Sequence, residues 1–208
     1  MADAPKSSQA RLSPTIWLGI GCLLAAGLWL GIAAVQPKGA ESLQLLNRWL
    51  VRFGRPFFVL AFSASSLARL WPSPFTKRLL RERRGFGLAY AAIHLTHAAA
   101  IVVLWSATDM GPEMPAVAVG GLGFVLTLAM ALTSTDAAVK RMGGRNWRRL
   151  HTFGIRYLMF IYLVSYGGGA AEGNPWKIVA FALLLGLVGL RVAAGWKGRM
   201  ARRAPARA

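Results

Sequence analysis

The chain has 208 residues, 55% of them hydrophobic, and a formal charge of +18 from 25 Lys and Arg set against 7 Asp and Glu. Its apolar residues gather in blocks of roughly 18 to 22, the length that crosses a hydrocarbon core of about 30 Å, which excludes an ordinary soluble fold. The single cysteine, Cys22, excludes a disulfide within the chain and a cysteine metal site.

Residues 1–14, with Pro5, three serines and Pro14, read as a short disordered leader. Six membrane spans follow, at about 15–35, 56–71, 85–107, 116–135, 151–168 and 175–194. The first is too long for a typical signal core and follows a polar leader, so it reads as an uncleaved anchor. Gly27 and Gly31 on this span suggest close helix packing. Residues 41–53, "ESLQLLNRWLVRF", place apolar groups at helical spacing with Asn and Arg between them. They read as an interfacial amphipathic helix or an early start to span two. Span two is diluted by Ser63, Ser65, Ser66 and Arg69. "WPSPF" (71–75) is a proline-punctuated exit, and "GPEMP" (111–115) and "GGGAAEGNP" (167–175) read as turns. The expected division is a cytoplasmic leader at 1–14, a six-helix domain at 15–196 and a basic, mobile cytoplasmic tail at 197–208. The glycine strings "GIG" and "GGLG" fall inside spans and complete no G-x-G-x-x-G, so no nucleotide or nicotinamide site is expected.

The positive charge follows the spans. Basic clusters lie between spans two and three (Arg69 to Arg84), between four and five (Lys140 to Arg149), and after span six (Lys197 to Arg207). Asp109 and Glu113 supply the only charges between three and four. That alternation predicts both termini in the cytoplasm of a bacterial-type inner membrane, with Lys38, Arg48, Arg52 and Arg55 dissenting. Topology and anionic headgroups account for the charge, so no nucleic-acid partner is expected.

Ionisable groups inside a membrane are costly and point to function. The candidates are His94 and His97 in span three, His151 at the start of span five, and Arg156 shortly after it, with Tyr162 and Tyr166 beyond. No pair of intramembrane carboxylates supports a proton pump. Imidazoles on two facing helices are what a b-type heme needs for its iron, with apolar walls around the porphyrin. His94 and His97 lie about 4.5 Å apart along one helix and roughly 60° apart around it, so they cannot serve opposite faces of one ring. One of them is therefore expected opposite His151. Counting along the helices from Arg84 favours His94 as the closer in depth. The alternatives are a heme-free bundle whose histidines only join helices, acting as a scaffold or small-molecule carrier, and a metal carrier using the two close histidines.

The strings "RRGFGLAYAAIHLTH" and "ALTSTDAAVKRMGGRNWRRLHTFGIRYLMFIYLVSY" resemble the ferric-reductase-like transmembrane family over residues 54–166. Within it, they are similar to the heme-binding membrane subunits of periplasmic methionine-sulfoxide reductase systems. The likeness rests on Arg83, Arg84 and Gly87, on Leu132 to Thr135, and on Trp147, Leu150 and His151. It implies a heme b bundle carrying electrons through the membrane as a subunit of an oxidoreductase system rather than as a complete enzyme. It also implies a donor (a cytosolic flavin reductase or a membrane quinol) and a periplasmic acceptor; no motif here supports a resident flavin or quinone. The family spacing of ten residues past the glycine selects His97, whereas the local "HLT" string matches at His94. Val164 and Thr108 stand where two-heme members place further histidines, so one heme is expected. Arg156 replaces an apolar position, either pairing with a heme propionate or snorkelling to the inner surface.

Overall fold

The computed structural model describes residues 12–35, 39–108 and 114–203, and among them every regular element is helical. The helices are α1 (Pro14–Val35), α2 (Ala40–Leu70), α3 (Pro74–Ser106), α4 (Met114–Leu132), α5 (Asp136–Met142), α6 (Gly144–Ala171) and α7 (Pro175–Arg203). Three of them, α1, α3 and α7, are long and apolar enough to cross a membrane. A fourth span arises if α4 is counted with the short α5, which breaks from it at 104°.

Several elements differ from the sequence expectation, each for a local reason. Of the two readings of residues 41–53, the early start to span two holds, with no separate interfacial helix. These residues are the first turns of α2, and Leu46, Asn47 and Leu50 are buried there against the bundle. The glycines at 167–169 are helical rather than a turn, because α7 approaches α6 closely there. A Cβ at Gly167 would lie 3.2 Å from the Phe181 ring, and one at Gly169 would collide with the Lys177 side chain. The turn is confined to 172–174, where Gly173 has φ 78°. Basic residues from 199 to 203 continue α7 instead of opening a tail. The leader up to residue 11, the turn at 109–113 and residues 204–208 lie outside the described residues. "WPSPF" does end α2, and it also starts α3: Ser73 caps the helix reciprocally with Thr76, and Pro74 opens its first turn.

Packing follows small residues. Gly27 and Gly31 have open space where a side chain would stand. Gly21 makes the close approach instead, since a Cβ there would sit 2.6 Å from the Ala89 carbonyl on α3. One turn away Trp17 lies against Gly85, with its indole Nε1 donating to buried Glu82 at 2.8 Å. Positions four apart thus pack α1 on α3. The largest buried cluster joins Phe58 and Phe62 of α2, Tyr90 of α3, Leu158, Met159 and Tyr162 of α6 and Leu184 of α7. Outward faces remain apolar, with Leu23, Leu30, Val125, Leu183 and Val192 exposed, as expected of surfaces that meet lipid.

Candidate functional site

The two histidines of α3 stand side by side, with ring centroids 6.0 Å apart, and both touch Phe124 of α4 at 4.6 Å and 5.8 Å. His94 is held by rings alone, stacked on Tyr90 at 4.9 Å. His97 has a polar partner that sequence reasoning missed. Its Nδ1 lies 2.8 Å from Oδ1 of Asn47 on α2. Asn47 donates its amide to the Leu43 carbonyl at 3.0 Å, which leaves Oδ1 as the acceptor. His97 therefore carries its proton on Nδ1, and Nε2 keeps a lone pair available to a metal. A polar residue among Leu43, Leu46 and Leu50 was the available signal.

His151 belongs to a different constellation. Its Nε2 lies 3.1 Å from the Thr133 hydroxyl at the end of α4, and its ring stacks on Trp147 at 4.2 Å. Trp147 donates to the Thr133 carbonyl at 2.9 Å. Arg84 of α3 reaches the same corner, donating to the Ser134 carbonyl and pairing with Asp136 at 2.7 Å. Thr135 caps α5 through the Ala138 amide. The strings "RR", "LTST" and "NWRRLH" thus meet in one polar corner joining α3, α4, α5 and α6.

The structure does not bring His151 to either α3 histidine. Thr133, beside His151, is nine residues from Phe124, beside His94 and His97, which is roughly 13 Å along α4. The α6 residues at the level of Phe124 are Leu158 and Ile161, both beside Gly123. Ile161 is ten residues past His151, roughly 15 Å along α6. By these rulers the imidazoles differ in depth by roughly 10 to 15 Å, two to three helical turns, whereas axial ligands of one porphyrin share a level. Val164 and Tyr162 lie beyond Ile161 on the same helix, and Tyr162 packs into the aromatic cluster at 4.9 Å from Phe58. Arg156 is also apart from the histidines, exposed on a groove between α6 and α7. Among the described residues no group of three His, Cys, Asp or Glu side chains is placed to hold a metal ion.

The donor set on α3 fits a b-type heme on one face: the His97 imidazole, fixed by a buried amide and flanked by Phe124, with His94 on Tyr90 beside it. It does not supply a second histidine at that depth.

Long helices with lipid-facing apolar surfaces and histidines held inside define a polytopic helical membrane protein. The sequence pattern described as ferric reductase like transmembrane component matches residues 50–164, and the chain belongs to that family. It is 31% identical over 197 residues to the protein-methionine-sulfoxide reductase heme-binding subunit MsrQ of Caulobacter vibrioides, covering 88% of this chain and 86% of that protein. The subunit of the same name from Bordetella pertussis is 27% identical, over 98% of this chain and all of that one. Magnetosome protein MamZ of Magnetospirillum gryphiswaldense is 26% identical over 83% of this chain, which spans about a quarter of its length. No solved structure matches.

Proposed function

We propose that the chain is a heme-binding electron-transfer subunit of the bacterial inner membrane. It takes electrons from a cytosolic or membrane donor and passes them toward a periplasmic oxidoreductase. The observation that carries this reading is the His97–Asn47 pair, which leaves a metal-ready Nε2 inside an apolar wall in a member of this family. The relatives named as heme-binding subunits support it. Six spans with both termini cytoplasmic complete the reading, since α2 with 31 residues and α6 with 28 are also long enough to cross.

A b-type heme, when bound, supplies one-electron chemistry. The chain's own part is to hold it at one depth and keep water away. Asn47 fixes the His97 ring, His94 stands beside it as the alternative ligand, and Phe124 and Tyr90 close the wall. His151 is the third candidate ligand, standing at the inner corner. The depth gap favours a second reading as well, a heme-free bundle in which His97–Asn47 ties α3 to α2 and His151–Thr133 ties α6 to α4.

The absorption spectrum of the detergent-purified protein before and after dithionite decides between them. A Soret band, a sharpened α band on reduction and about one heme per chain are expected; a colourless, folded protein sinks the heme reading. In single substitutions, His97→Ala is expected to lose heme. Retention by His151→Ala places the heme on α3 alone, whereas loss in both variants restores the shared pairing.

A further inference from the structure

A groove of about 440 Å³ opens on the outer face of the bundle between α6 and α7, with Phe62 of α2 at its floor. Three guanidiniums line it: Arg156 from α6, and Arg191 and Arg199 from α7. Arg191 is held in place, donating from one nitrogen to the Phe62 carbonyl at 3.1 Å and lying over the Phe62 ring at 4.6 Å. Its other donors are left for the groove. The rest of the lining is apolar, including Phe160, Leu163 and Val188.

The two kinds of lining are ordered along the helices. Arg199 is near the inner end of α7, and Val188 lies eleven residues away, roughly 16 Å toward the middle of the helix. The three guanidiniums therefore lie on the Arg199 side of Leu163 and Val188, with Gly195 and Val192 between Arg199 and Arg191. Among the described residues no carboxylate lines the groove. Of the four described acids, Glu82 accepts from Trp17 and Asp136 pairs with Arg84. Glu41 and Glu172 stand at the opposite ends of α2 and α6. A separate shallow groove beside this one is lined by Arg145, Arg148 and Arg149.

Three guanidiniums converging in a site without acid call for an anion, and an apolar wall beyond them calls for a hydrocarbon chain. A neutral quinone would leave the guanidiniums unmatched, and a free phosphate would leave the apolar wall bare. We propose that this groove is a binding site for one anionic phospholipid of the inner leaflet. The phosphate is clamped by Arg156 and Arg199 with Arg191 below it, and an acyl chain lies over Phe160, Leu163 and Val188. The proposal is independent of heme, since none of the three histidines lines the groove.

The test uses the full chain in detergent, read by native mass spectrometry and thermal unfolding. Dioleoyl phosphatidylglycerol, dioleoyl phosphatidylcholine and inorganic phosphate are added separately. Phosphatidylglycerol is expected to remain bound on the order of tenfold or more over phosphatidylcholine and to raise the unfolding temperature. In Arg156→Gln/Arg199→Gln, with helicity and elution unchanged, the preference is expected to vanish. Arg145→Gln/Arg148→Gln is the control that keeps it. Equal retention of the two lipids, an undiminished preference in the double variant, or stabilisation by inorganic phosphate equal to that by phosphatidylglycerol overturns the proposal.

Discussion

Asn47 is 9% exposed and gives each of its polar atoms a partner, accepting from His97 and donating to Leu43. Asn47→Leu keeps the bulk and removes the acceptor, so His97 loses the bond that fixes its tautomer. Under the heme reading, affinity is expected to fall about 10- to 100-fold, as for other partners of metal-bound imidazoles, while Asn47→Asp retains it. Heme titration of the two purified variants checks this. Gly21 gives a prediction free of any cofactor. A methyl group there would stand 2.6 Å from a backbone oxygen, so α1 must move off α3. Gly21→Ala is expected to cost about 1–3 kcal/mol, and Gly27→Ala, facing open space, to cost nothing measurable in detergent unfolding.

At the level of elements, the corner at the end of α4 shows which contacts matter. The Arg84–Asp136 pair is close, but the Asp136 side chain is 87% exposed, and such pairs contribute roughly 0–1 kcal/mol. The indole of Trp147 instead satisfies a backbone carbonyl left over where α4 ends. Trp147→Phe is therefore expected to destabilise by about 1 kcal/mol, and Asp136→Asn by less than half of that. Unfolding of the two variants side by side, in low and in high salt, tests the ranking. Salt is expected to erase the Asp136 effect and leave the Trp147 effect unchanged.

Across the whole molecule, basic side chains brace carbonyls on neighbouring helices. Arg69 donates to Ala194, Lys197 to Leu70, Arg83 to Ala61 and Arg191 to Phe62. Arg69, Arg83 and Lys197 belong to the basic clusters from which cytoplasmic termini are expected. A fluorescent protein fused after Arg203 is expected to glow in the cytoplasm. Alkaline phosphatase fused after Thr108 is expected to be active in the periplasm. Activity on the opposite side in either fusion would reverse the topology.

Helical class and long apolar helices were written in the sequence, because hydrophobic length is a property of single segments. So were the strings that mark the family, each a local run of residues. The depth of one helix against the next was not, and it decided the rest. Whether His94 or His97 meets His151 depends on how far α3 and α6 are offset along α4, and no periodicity within one helix records that offset. Asn47 became a partner only when α2 began sixteen residues before the apolar span. Gly21 rather than Gly27 made the close approach because only the Gly21 face of α1 turns toward α3. The sequence by itself determined which side chains had to be inside a membrane; the tertiary structure alone decided which of them meet.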